Sequence, residues 1–447
     1  MPTMPTMPTM PTIKLPDDHP SRAELAGEVH ARPPAQVAAP AVVSCLALID
    51  VASDEAFAHF KSLAAQHGVA VTGDGRAHTI IELPNLRVKW ERHGEFVTFT
   101  FVKELPGVSV DTLESFPTAF EALPDAWLAS LPGRTIAAAD IALLPAPPEV
   151  TGDIARPWFE QNALAGAHAL DGIAWLFTDF VTRGDQGGRT RWLVLDSGMG
   201  PAQSARLAQR VAEIEIYRMM ALLALPPARQ ALAEIGPIER RLEDITHMTA
   251  ELHDALGTAD SAVGERRLLD ELTRLAADVE HSVAEAAVRF SAGEAYWQIV
   301  RSRVSELRER RVGDMRTIGG FLSRRMAPAM SSAAAAARRQ EEVSGRIERA
   351  STLLRTRVDV TLEEQNQKLL EAMDRRSHVS LRIQQAVEGL SVAAIAYYGA
   401  NLVELIVAPL DHHFGIGGPW IVAGSIPVIA YAAWRALERV RRDLSPH

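Results

Sequence analysis

Cysteine is nearly absent: Cys45 is the single one in 447 residues, so neither an intramolecular disulfide framework nor a cysteine-rich zinc site can form. That suits a reducing compartment, and Cys45 itself reads as a small buried residue in a strand. Basic excess is missing too. The formal net charge of -10 leaves no general basic face to neutralise phosphates, so nucleic acid is not an expected partner. The start lacks the basic region and the roughly 7–15 apolar residues of a secretory signal. Residues 1–12 are instead a Met-Pro-Thr repeat, and residues 1–16 are expected to form a disordered leader, with the body that follows in the cytoplasm. Catalytic motifs are lacking as well. There is no HExxH, no phosphate-loop lysine and no serine or cysteine in an elbow motif, so the chain is not expected to be an enzyme.

What is present is a C-terminal pair of apolar runs. Residues 390–410 and 414–434 are split by Asp411, His412 and His413, and each run is close to the roughly 20 residues a helix needs to cross a bilayer core. The expectation is a transmembrane helical hairpin with a very short external turn. Arg375, Arg376 and Arg382 precede it, Arg435, Arg439, Arg441 and Arg442 follow it, and the turn has no lysine or arginine. By the positive-inside rule both termini are then cytoplasmic and the protein is a multi-pass protein of the inner (plasma) membrane, with the lipid bilayer as its first partner.

The rest divides by periodicity. Residues 42–49 make a strand-length apolar run, 54–67 have helical spacing, and 78–83, 86–92 and 95–103 follow as a meander turned at Asn85 and His93-Gly94. Residues 111–123 look helical and 134–144 extended. Further strands are expected at 168–170, 173–181 and 191–195, with residues 184–188 as a hairpin turn. This predicts an α+β cytoplasmic domain, residues 17–200, with a mostly antiparallel sheet. The turn Asp196-Ser197-Gly198-Met199-Gly200-Pro201 sits where a phosphate loop would, but it lacks that loop's lysine and third glycine and reads as a tight strand-to-helix connection. His59, His67, His78 and His93 are scattered, without a nucleophile beside them.

From 201 to 385 the pattern is almost unbroken helix, a long helical bundle or stalk, with stops or kinks expected at Pro226-Pro227 and Pro237. The last run carries Val343, Ile347, Leu354, Val358, Leu362, Leu369 and Met373 at coiled-coil spacing. One helix over 331–410 would rise on the order of 120 Å and enter the membrane span, 386–437, without a break, leaving 438–447 as a cytoplasmic tail.

The densest polar cluster lies near the other end. Pro20 opens and Pro33-Pro34 closes a short helix carrying His19, Arg22, Glu24, Glu28, His30 and Arg32, in which Glu24 and Glu28 share a face. Two carboxylates with two imidazoles could hold a divalent cation. Equally, Arg22, Glu24, Glu28 and Arg32 could pair among themselves and pin the segment to the next domain.

These residues carry a resemblance. Asp18-His19-Pro20-x-Arg22-x-Glu24-Leu25-x-x-Glu28-Val29-His30-Ala31-Arg32-Pro33-Pro34, together with Gln384-x-x-Val387-Glu388-Gly389-Leu390-Ser391-Val392-Ala393-Ala394-Ile395-x-Tyr397-Tyr398, resembles a bacterial family of uncharacterised, membrane-anchored proteins. That resemblance implies an inner-membrane anchor. More distantly, the order of domains is similar to the CorA class of magnesium channels, whose Tyr-Gly-Met-Asn signature is matched here by Tyr398-Gly399-Ala400-Asn401, with alanine in place of methionine. The acidic external loop of that class is absent, Asp411 alone standing near its place. The CorA likeness implies a homo-oligomeric channel or transporter for Mg2+ or another divalent cation, gated by the cytoplasmic domain. Tyr398, Gly399, Asn401, Glu404 and Asp411 are its ion-path candidates. Asn401 could offer amide oxygens to a hydrated cation, and Glu404 and Asp411 could concentrate cations at the mouth. In the alternative, a membrane-tethered scaffold or sensor, Glu404 snorkels to the interface, Asn401 makes a helix–helix hydrogen bond and the hairpin only anchors.

Overall fold

In a computed structural model the described residues are 16–22, 25, 33–73, 75, 77–160, 163–184, 188–254, 259–414 and 418–444. They fall into two compact units, Met1–Asp244 with Thr273–Glu348, and Ile245–Leu272 with Arg349–His447.

The first unit is built on a nine-stranded sheet. Its strands are β1 (Ala41–Ile49), β2 (His78–Leu83), β3 (Leu86–Arg92), β4 (Val97–Glu104), β5 (Arg134–Pro145), β6 (Ala165–Ala169), β7 (Ala174–Thr178), β8 (Thr190–Asp196) and β9 (Arg310–Arg311). They lie in the order β2-β3-β4-β1-β5-β8-β7-β6-β9. All pairs are antiparallel except β5 with β8, so the expected α+β domain with a mostly antiparallel sheet is observed. Pro84-Asn85 makes the tight β2–β3 turn, Asn85 taking the left-handed conformation (φ 63°) that its short polar side chain tolerates.

Two stretches differ from the periodicity. Residues 111–123 hold only single 3-10 turns at Val110–Thr112 and Phe120–Ala122, because Pro117 disfavours the α conformation just before it and Thr118 is drawn down to Asp140. β7 stops at Thr178 rather than 181. Asp179 accepts the backbone N–H groups of Glu160 (2.9 Å) and Val181 (3.1 Å), which ends the ladder, and Phe180 turns the chain at φ 56°. The expected turn at 184–188 lies partly outside the described residues, which lack 185–187.

The sheet is covered on both faces. α1 (Ser53–Gln66) and the short α2 (Asp125–Ala129) pack Phe60, Leu63 and Trp127 on Trp90, Phe99 and Phe101. On the other face α3 (Pro201–Leu222) sets Leu207, Val211 and Ile214 against Val43, Cys45, Ile141 and Trp192. The same core takes Phe290, Trp297 and Val300 from α5 (Ala259–Glu306) and Phe321, Leu322 and Met326 from α6 (Ile318–Phe414). Cys45 is buried in β1, as its reading required. α4 (Leu225–Asp254) starts immediately after α3 and continues through Pro237, and Arg339 of α6 reaches its Glu239 at 2.9 Å. Glu309 begins the return to the sheet by accepting the N–H groups of Ile318 and Gly319, both at 2.9 Å, at the start of α6. A carboxylate there meets the partial positive charge of the helix end.

In the second unit the C-terminal part of α6 is followed by α7 (Gly418–Leu444). These two helices each contain a window long and apolar enough to cross a membrane. The expected turn at Asp411, His412 and His413 is corrected: they are the last turn of α6, which runs to Phe414. None of the three is glycine or proline, so nothing there breaks the helix; the breakers come at Gly415, Gly417, Gly418 and Pro419. The connecting residues 415–417 lie outside the described ones.

Candidate functional site

Strand alternation brings two charges of β3 into the core of the first unit. Trp90 points to the α1 face, so Lys89 and Glu91 point to the α3 face, opposite Thr100 and Thr98 of β4. α3 crosses above them with Ala205, Ala208 and Ala212, and this row of small side chains leaves a cavity of about 40 Å³, room for a few water molecules or a small polar group. Gln209, Glu213 and Tyr217 of α3 and His93, beyond β3, add polar groups to its wall.

The Lys89 amine is 2% exposed. It forms an ion pair with Glu91 Oε1 at 2.7 Å and donates to the Pro33 carbonyl at 2.6 Å. Removing both charges from water is costly, and the pair with its added hydrogen bond offsets that cost. Arg87, two residues earlier on the same face, donates to the Gln36 carbonyl and pairs with Glu82. The segment 33–38 is therefore strapped along the sheet by the two cations of β3, with Val37 buried beneath it. Pro33 and Pro34 also end the polar motif in sequence. Sequence reasoning missed the site. The one signal available was a charged pair at i, i+2 in an otherwise apolar strand.

The motif itself is only partly visible. Arg22 pairs with Asp18 on the surface, and His19 Nδ1 accepts the Ser21 N–H at 3.2 Å. Glu24, Glu28, His30 and Arg32 lie outside the described residues. Among the described residues no group of three or more His, Cys, Asp or Glu is placed to hold a metal ion. The scattered histidines stay apart: His59 stacks on Trp127 with centroids 4.8 Å apart, whereas His93 stacks on Phe96 at 4.2 Å. In the turn after β8, Asp196 Oδ1 accepts from the Gly198 and Met199 amides at 2.8 and 2.6 Å, so the donors a phosphate would need are already taken.

A second buried carboxylate serves the sheet rather than the pocket. Asp140 on β5 is 3% exposed and accepts from Thr118 Oγ1 and Arg189 Nε, each at 2.7 Å, and from Ser44 Oγ. Ser44 in turn accepts the Ala119 N–H at 2.8 Å. The network joins three sequence-distant segments and leaves no oxygen of Asp140 without a donor.

Titration in this unit follows burial. Burial pushes the Cys45 thiol up, and the Glu215 and Asp140 carboxylates add to it, so this thiol stays protonated and unreactive. Tyr296 is pushed up to about 12 by burial and by Glu95, to which it donates at 3.2 Å. Burial likewise raises Glu309, against the pull of its two backbone donors. Glu239 moves the other way, its carboxyl held below the usual range by the Arg339 hydrogen bond.

In the second unit the ion-path candidates do not converge within one chain. Ala396 and Ala433 are buried where α6 meets α7, and a Cβ on Gly399 would lie 2.8 Å from Ile429 Cγ2. Gly399 is thus a close-packing position of the kind small residues fill between membrane helices. Tyr398 and Asn401 are exposed three residues apart on one side of α6, and Glu404 borders the groove that Val407, Gly418 and Val422 line. Asp411 falls in the last turn of α6, with its side chain outside the described residues. Gly399→Leu is expected to cost the hairpin about 1–3 kcal/mol of packing. Thermal unfolding in detergent measures it against Gly389→Leu, whose site is open. Equal melting of the two variants would refute the contact.

A family model described as protein of unknown function (DUF3422) matches residues 17–444. No curated protein matches the chain.

Proposed function

From the premise that the chain belongs to that DUF3422 family, we propose that it is a membrane-tethered sensor or scaffold, in which the hairpin anchors and the α+β unit recognises. The observation that carries this reading is the Gly399–Ile429 contact. The glycine of the Tyr-Gly-x-Asn run is used to seat α6 on α7. A hairpin closed on its own seam satisfies its backbone groups within its two helices. The arginines on both flanks favour cytoplasmic termini in the inner membrane, with the short 415–417 connection outside. The Lys89 pocket, closed by the strap that ends the polar motif, is the part of the α+β unit with chemistry to offer a small polar ligand.

A CorA-like path for Mg2+ or another divalent cation is the second reading. Asn401, a polar group within an apolar run, favours it by facing away from α7, where copies of the chain in a ring could present it inward. Two measurements separate the readings. The protein is expected to stay with membranes through an alkaline wash and to leave them only in detergent; release by the wash would sink both readings. Reconstituted vesicles are then expected to remain impermeable to Mg2+. An uptake that Asn401→Ala or Glu404→Ala lowers would replace the anchor by the channel.

A further inference from the structure

From Leu362 to Val387 every residue of α6 is exposed, including Leu369, Met373, Ile383 and Val387 at 57–62%. This is roughly 40 Å of helix with no covering element among the described residues. Most helical stability in proteins comes from packing an apolar face. Here the face exists and is uncovered.

Its spacing identifies what fits it. Leu362, Leu369, Ile383 and Leu390 fall on one position of a seven-residue repeat, and Met373 and Val387 on the position four residues further on. The charged residues between 362 and 390 lie on the outer positions, Lys368, Glu371, Arg382 and Glu388 among them; Glu363 and Arg376 are the exceptions. Asn366, Arg376 and Ser380 interrupt the repeat, and the apolar steps that remain are self-complementary between two copies.

The repeat continues past 390 into the apolar run. Ala394, Tyr397 and Asn401 keep its steps, and at about 100° per residue they lie about 150° around α6 from Ala396 and Gly399, which face α7; the next step, Glu404, borders the groove beside α7, and the repeat ends before it. The seam and the hairpin contact therefore use different faces and can be occupied together.

We propose that residues 362–401 of α6 pair in parallel with the same residues of a second copy, as a coiled coil that places Asn401 opposite Asn401. The parallel sense rests on the membrane-tether reading, since two copies anchored in one bilayer point the same way. A pair of amides satisfies in hydrocarbon the polar groups that one copy leaves bare, and an asparagine at such a core position fixes register.

Single cysteines test this in the full chain within membranes, with the wild type, whose Cys45 is buried, as the blank. Leu369→Cys and Ile383→Cys stand on the seam, Glu371→Cys and Gln385→Cys on the outer face. Under mild oxidation the seam variants are expected to give disulfide-linked dimers in roughly tenfold higher yield than the outer ones, because only there do equivalent Cα atoms come within disulfide reach. Equal yields at all four positions, or no dimer at any, overturn the proposal. A second readout guards against altered folding: the wild type in detergent is expected to have the mass of a dimer and Ile383→Asp that of a monomer, and a monomeric wild type overturns the seam as well. A periodic pattern in protein released by the alkaline wash would sink the tether and spare the pairing. An aperiodic pattern in tightly held protein would do the reverse.

Discussion

Glu91→Ala is expected to destabilise the first unit by about 3–5 kcal/mol, because it strands a buried cation. Lys89 is 2% exposed and would keep only the Pro33 carbonyl as protein partner. The double variant Lys89→Met, Glu91→Leu removes both charges and fills the same space, so it should recover most of the loss. Thermal unfolding of the detergent-solubilised chain compares the two. The strap gives an independent readout: with the ion pair broken, cleavage within 33–38 by added protease should rise in the single variant. If Glu91→Ala melts like the wild type and the strap stays resistant, the amine is not held as described and the pocket is not closed by this segment.

The second large effect is expected at Asp140. Asp140→Ala removes the acceptor for Ser44, Thr118 and Arg189 together, leaving a partly buried guanidinium and two buried hydroxyls without it, at about 3–5 kcal/mol. Asp140→Asn keeps an oxygen for the hydroxyls but turns an amide toward Arg189, so a smaller loss of about 1–3 kcal/mol is expected. Denaturant titration of both variants checks the order. A milder effect of alanine than of asparagine would mean that the charge, rather than the acceptor geometry, is what the site uses.

The pocket and this network share one reason for being hard to find in the sequence. Lys89 and Glu91 are ordinary charged residues on an alternating strand until the register with β4 and the alanine row of α3 place them indoors. Their other partner, Pro33, is distant in sequence and sits at the end of a motif readable either as a metal cluster or as a salt-bridged pin. Lys89 and Arg87 hold the backbone carbonyls of Pro33 and Gln36, whereas Glu24, Glu28, His30 and Arg32, on which both readings turn, lie outside the described residues. Asp140 likewise lies in an extended apolar run and gives no local sign that Ser44, Thr118 and Arg189 converge on it. The parallel β5–β8 pair was equally invisible, because strand sense depends on connections and not on side-chain period.

In the hairpin the sequence was more informative, yet it misplaced the turn. Charge at Asp411 and the histidines interrupted the hydropathy, but a helix ends where backbone geometry requires it, at the glycines that follow. The Tyr398–Asn401 run drew attention to the right stretch without telling which face each residue takes, and the contact with Ile429 assigns Gly399 to packing.

The sequence by itself determined most of the sheet's strands, though not β9 at Arg310–Arg311 or the start of β6, and with them the tight turn at Asn85, the long helices, the buried Cys45 and two helices apolar enough to span a bilayer. All of these follow from local periods of two or 3.6 and from hydropathy, which are carried by neighbouring residues. Only the tertiary structure decided which charges enter the core, that the end of the polar motif is a strap over Lys89, and that the face of α6 from 362 to 387 is left bare. Those depend on strand register and on which face of a helix meets its neighbour, and both are set by contacts between residues far apart in the chain.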